Sequence, residues 1–97
     1  GNPTLDAIEL TPALVPMLLG DTAQLRAYAH FSDGVVNEVT WNAGTTWFTG
    51  NPGIASLTAT KGLVRAAGVG TTFVDACLQG VCATASNWDT EVTVTAP

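Results

Sequence analysis

The two cysteines in "ACLQGVCA" are the residues whose spacing points most directly to chemistry. A two-residue turn at Gln79-Gly80 would pair Leu78 with Val81 and set Cys77 directly opposite Cys82. The second pair out from such a turn is a non-bonded pair, with α-carbons about 4.5–5.5 Å apart. A disulfide accepts that separation. Both side chains would point away from the core. The alternative, two free thiols, would leave reactive groups exposed on an extracellular protein. A bridge closing so short a loop adds only about 2 kcal/mol on the chain-entropy argument, and it implies an oxidising compartment. The C-x4-C spacing, where redox enzymes use C-x-x-C, speaks against a catalytic dithiol.

The other reactive side chains are scattered. His30 is the one histidine, on the outward side of a strand and with no cysteine or carboxylate near it in sequence, so it reads as a surface residue. Ser32, Ser56 and Ser86 lack a nucleophile elbow or an evident base. Asp33 with Glu38, or Asp89 with Glu91, could touch calcium, but no Asp-x-Asp-x-Asp loop accompanies them. No phosphate-cradling glycine pattern or metal-ligand spacing occurs. The expectation is a protein that is not an enzyme and uses no cofactor.

Three basic and eight acidic residues give a net charge of −5. Phosphate backbones and anionic lipid both need clustered Lys and Arg, so nucleic acid and membrane surfaces are poor partners. The longest apolar run, "ALVPMLLG", is too short to cross a bilayer and holds Pro16. The chain opens on "GNPTLD", with no signal peptide, so an exported protein would be seen here in mature or excised form. Charged residues are 11% of the chain, against about 25% in an ordinary soluble domain. Either a threonine-rich extracellular surface or coverage by other protein accounts for that shortage.

The elements that must position these residues are strands, because alternation dominates and helical periods are missing. "LDAIELTP" puts Ile8 and Leu10 on one face and stops at Pro12. "PALVPMLLGD" reads as an irregular edge, since proline cannot donate to a central ladder. "TAQLRAYAHF" sets Leu25, Ala27 and Ala29 against Arg26, Tyr28 and His30. "FSDGVV" is a hairpin turn, and "NEVTW" leads into a strand with Trp41 as a core aromatic. "GIASLTATKGLVRAAGVG" gives two short strands about a turn at Lys61-Gly62. "TTFVDACLQGVCATAS" is a hairpin with Thr72, Val74, Ala76, Val81, Ala83 and Ala85 inward, and "EVTVTAP" closes with Val92 and Val94 inward. Short strands at regular spacing predict an all-β, Ig-like antiparallel sandwich of two sheets and about seven to nine strands. Residues 1–97 read as one domain.

The order of these motifs resembles the bacterial Ig-like group 2 (BIG2) domains. "IELTPALVPMLLGDTAQLRAYAHFSDG" follows the family's opening, and "VTW", "NPGIASLTATKGLVRAAGVGTT" and the closing "VTVT" follow its later parts. The resemblance covers nearly the whole chain. Its motifs are weak singly and specific as an ordered set. It implies a non-catalytic sandwich of the kind found on bacterial surface proteins, adhesins and phage structural proteins, and it brings no site with it. The chain departs from the pattern by inserting "GTTWFTG" before Asn51-Pro52 and "SNWDT" before the last strand, each adding a tryptophan.

Trp47 and Phe48 stand in a stretch of Gly, Thr and Asn with no evident period, which reads as a loop. They either fold back as a lid on the core or stay exposed as interface anchors. Phe73, outward beside Cys77, and Trp88 in the second insertion join them as interface candidates. Apolar groups left outside on a weakly charged domain suggest a protein–protein surface. The leading expectation is an extracellular structural module, on a bacterial cell surface or a phage virion, that packs on copies of itself or on neighbouring domains into a homo-oligomer, filament or pilus-like fibre. Two alternatives stay open. A carbohydrate-binding adhesin module would gather Trp47, Phe48, Trp88 and Tyr28 in one groove, and a passive spacer would show a conventional charged surface.

Overall fold

Strand after strand in this chain alternates a small or branched apolar residue with a threonine or a polar group, and the backbone follows that period into two layers. A computed structural model describes residues 2–97. One layer, the front sheet, runs in the order β10 (Val81–Cys82), β9 (Gly70–Leu78), β11 (Thr90–Thr95), β2 (Leu14–Leu18), with β6 (Thr46–Thr49) also on β9. The back layer is split into two three-stranded sheets. One is β1 (Leu5–Thr11), β4 (Arg26–Phe31), β5 (Val36–Glu38); the other is β3 (Thr22–Gln24), β8 (Leu63–Ala66), β7 (Ala55–Leu57). The all-β antiparallel sandwich predicted by the alternation is the fold. Its eleven segments exceed the expected count because two runs change sheets partway. The "TAQLRAYAHF" run breaks at Leu25, and the opening run breaks at Pro12 and Ala13 between β1 and β2.

Each half of the back layer has its own core against the front sheet. Leu25, Val64 and Ala66 meet Val15, Met17, Val74, Val92 and Val94 in one cluster; Ile8, Leu10, Ala27 and Ala29 meet Ala76, Leu78 and Ala83 in the other. β2, which holds Pro16, is an edge strand, as that proline requires. It pairs in parallel with β11, from Glu91 opposite Leu14 to Thr95 opposite Leu18. Because β1 and β2 follow one another along the sandwich and β11 runs beside β2 in the same direction, the chain enters at one end and leaves at the other.

Turn chemistry closes the hairpins. Gln79 and Gly80 have φ of 53° and 81°, the positive pair a two-residue hairpin turn needs. Gly62, at φ 76°, lies so close to Leu25 that a Cβ there would come within 2.5 Å of its carbonyl oxygen; any other residue would push the β7–β8 turn away from the end of β3, where the Leu25 amide donates to the Gly62 carbonyl at 2.7 Å.

Three expectations fail here. Trp41 is 53% exposed, because Thr40 takes the inward position. Thr40 Oγ1 accepts from the Ala27 amide at 2.8 Å and donates to Glu38 at 2.9 Å, after which the chain turns and throws Trp41 outward. Ala85 is exposed, because the hairpin stops after Cys82 and the chain coils into a 3-10 turn, Ala83–Ser86. The Trp-Phe stretch is a strand and not a loop. Its Thr-Trp-Phe-Thr order alternates, but with an aromatic on both faces, so no polar side marks the period.

Candidate functional site

β6 pairs with β9 so that Trp47 stands opposite Ala76, on the inner face, and Phe48 opposite Asp75, on the outer one. Neighbouring rings therefore have opposite surroundings. Trp47 packs against both core clusters and forms the seam between them. Its indole Nε1 is buried with no acceptor in the protein. Beside it, β6 and the β7–β8 turn flank an open cleft of about 240 Å³, edged by Thr45, Thr58 and Lys61, with the Lys61 ammonium donating to the Thr45 carbonyl. That is smaller than most small-molecule pockets, which start near 300 Å³. Trp47 is thus a half-buried ring folded onto the core at the edge of that cleft, the lid of the two readings the sequence left open.

Phe48 and Phe73 both lie on the outer face of the front sheet. Phe73 stands opposite Glu91 on β11, and Glu91 is opposite Leu14 on β2. Since Phe48 is opposite Asp75, two residues along β9, the rings are diagonal neighbours, close enough for aromatic side chains to touch. Phe48 is 49% exposed, Phe73 50%, Leu14 66% and Leu18 48%. The rest of this face is largely threonine, with a contact between the hydroxyls of Thr71 and Thr93 at 3.2 Å. Its strands carry two charges, Asp75 and Glu91, and no cation. Asp75 is held in place by Thr84, whose hydroxyl and amide donate to it at 2.8 and 3.2 Å. Glu91 makes no ion pair or side-chain hydrogen bond among the described residues.

The outer side of the back layer is of another kind. Arg26 bonds Glu38 at 2.8 Å; that hydrogen bond, with help from Thr40, holds the Glu38 carboxyl below its usual range and raises the guanidinium above its own. His30 Nε2 lies 2.8 Å from Glu9 Oε1, so the histidine without a sequence neighbour has a carboxylate from the adjacent strand. Trp88 covers His30, with ring centroids 4.7 Å apart. The Trp88 carbonyl accepts from the Leu10 amide at 2.9 Å. The "SNWDT" insertion therefore caps the free edge of β1 and folds its ring onto the back layer. Sequence reading missed this trio, since Glu9 and His30 are brought together only by the β1–β4 register, Glu9 opposite Tyr28 and Ala7 opposite His30, and Trp88 only by its hydrogen bond to the edge of β1.

Cys77 and Cys82 are register partners across the β9–β10 hairpin, with α-carbons 4.0 Å apart and sulfurs at bonding distance. The separation is shorter than the 4.5–5.5 Å expected. With Asp75 they form a group of three potential metal ligands, but paired sulfurs leave a single carboxylate to offer. Of the carboxylates weighed and set aside as calcium ligands, Asp33 accepts from the Val35 amide at 3.1 Å and Glu38 is engaged by Arg26.

The site is thus a flat apolar sheet face with two aromatic–carboxylate pairs, and nothing in it is arranged as a nucleophile with a base. The aromatic residues do not share a groove: Trp47 is inside, Phe48 is in front, and Tyr28 and Trp88 are behind.

No family model matches the chain, and no curated protein matches it. Among solved structures it is similar to domains 5–6 of the S-layer protein SbsC, with 16% identity and a TM-score of 0.75 over 98% of this chain and 46% of that one. It is similar also to SbsC domains 4 and 5, with 15% identity and a TM-score of 0.74 over 98% of this chain and 54% of that one. Against rSbsC(31-844) the figures are 15% and 0.74, over 98% of this chain and 13% of that one. The chain spans about half, or less, of the length of each of these neighbours, and what it shares with them is the β-sandwich fold of surface-layer protein domains.

Proposed function

We propose that residues 1–97 are a single Ig-like module, of the bacterial group 2 type by its motifs, that serves as a non-enzymatic building block of an extracellular surface assembly and packs on copies of itself or on neighbouring domains. The observation that carries this reading is the front face. Four half-exposed apolar side chains across its strands amount to roughly 400 Å² of apolar surface, on a domain whose fold had an inner face available for them. Such a patch falls short of the roughly 800 Å² per partner of a stable interface. It suits a weak contact that becomes firm when repeated many times. The fold neighbours point the same way, being domains of one surface-layer protein.

Chain entry and exit at opposite ends favour a second, compatible reading, in which the module is one of a series joined end to end. The adhesin reading loses support from the dispersal of the aromatics.

Light scattering over a concentration series, with negative-stain microscopy of the concentrated material, tests the proposal. The expected result is a mass that rises with concentration and falls back for a Phe48→Ser/Phe73→Ser variant. A mass that stays at 10.0 kDa up to millimolar concentration overturns it.

A further inference from the structure

The front face is acidic and aromatic, and the fold supplies a cation that fits it. Of the three basic residues, Arg26 is bonded to Glu38 and Lys61 to the Thr45 carbonyl. Arg65 has no such partner among the described residues. It is exposed on β8, directly opposite Thr22 on β3 and Ser56 on β7. Both flanking residues are small, so the guanidinium projects from a low bed. Val64 and Ala66, on either side of it in sequence, point into the core shared with Val74, Val92 and Val94. Arg65 and the Phe73–Glu91 pair therefore lie on opposite outer surfaces of the sandwich, with two sheets between them, and no copy can join its own.

We infer that Arg65 of one copy docks on the front face of the next, its guanidinium against the Phe73 and Phe48 rings and within reach of Glu91. This rests on the self-packing reading above and names the two surfaces involved. Arginine is the side chain suited to such a place, because its planar cation stacks on aromatic faces and bonds a carboxylate at the same time. A face with no cation of its own meets a surface whose cation has no anion. The contact joins different surfaces of the two copies and is heterologous, so it does not close on itself unless the rotation per step happens to complete a ring. Repetition then gives an open-ended array.

Charge reversal tests the pairing, with self-association followed by light scattering and by binding of soluble copies to a dense immobilised layer of the same variant. Glu91→Arg alone and Arg65→Glu alone each weaken self-association about tenfold or more, equivalent to 1.4 kcal/mol or more. The two combined in one chain restore it to within about threefold of the parent, as does mixing the two single variants. Both positions are exposed or half-exposed, and circular dichroism confirms that each variant is folded. Association unchanged by Arg65→Glu, or a double variant as weak as the singles, overturns the pairing while leaving self-packing in place. A parent that never associates removes both.

Discussion

The two outer surfaces of this sandwich are made by the same alternation and yet differ in kind. The back layer carries Arg26 with Glu38, His30 with Glu9 under Trp88, and Arg65. The front sheet presents Phe48, Phe73, Leu14 and Leu18 among threonines. A soluble monomer gains nothing from keeping rings in water, whereas it gains solubility from charge. The difference between the surfaces teaches that the shortage of charge in the composition is uneven, deepest on the front sheet, whose strands carry only Asp75 and Glu91.

The largest perturbation available lies where the surfaces are joined. Trp47→Ala opens the seam between both clusters and is expected to cost about 3 kcal/mol in denaturant unfolding. Trp47→Phe, which keeps a ring and removes the unpartnered N–H, is expected to cost far less, because a buried donor without an acceptor is itself unfavourable. Equal losses for the two variants would mean that the indole N–H matters more than its packing.

Next in size is the front hairpin. Reducing Cys77–Cys82, or replacing both with serine, is expected to lower stability by about 2 kcal/mol while the protein still folds, since of the buried core only Leu78 lies within the small loop. Thermal unfolding with and without reductant measures this. Collapse of the fold on reduction would show that the front sheet depends on its bridge.

The smallest effect belongs to the back surface and depends on pH. Bonds from Arg26 and Thr40 hold the Glu38 carboxyl below its ordinary value. Its contribution is therefore fully present above the unfolded carboxylate value, about 4.3, and is lost as pH falls through the lower folded value. The pair is solvent-exposed and screened, so the effect is slight. In melting curves from pH 7 to 3, Glu38→Gln should show a shallower decline than the parent. Identical slopes would mean that the ion pair contributes nothing.

Much of this architecture could be read from residue order. Ile8 with Leu10, and Leu25 with Ala27 and Ala29, sit where period-two alternation puts them, and the Cys77–Cys82 register follows from one turn. Trp41 and Trp47 were legible in neither position. A tryptophan beside threonines satisfies a strand pattern on either face, and only the buried hydroxyl of Thr40 and the meeting of two clusters at β6 decide which. The Glu9–His30–Trp88 trio was hidden because pairing across distant strands leaves no local mark. The outward lie of Phe73 was legible, because Val74 beside it had to point in.

The parallel union of β2 with β11 determines how this molecule would bear a pull. Tension applied at the two termini draws β2 one way and β11 the other, along their common length. The hydrogen bonds of that pair, from Leu14 to Leu18, are then strained together instead of unzipping in turn. A module connected in this way holds until a whole row gives at once.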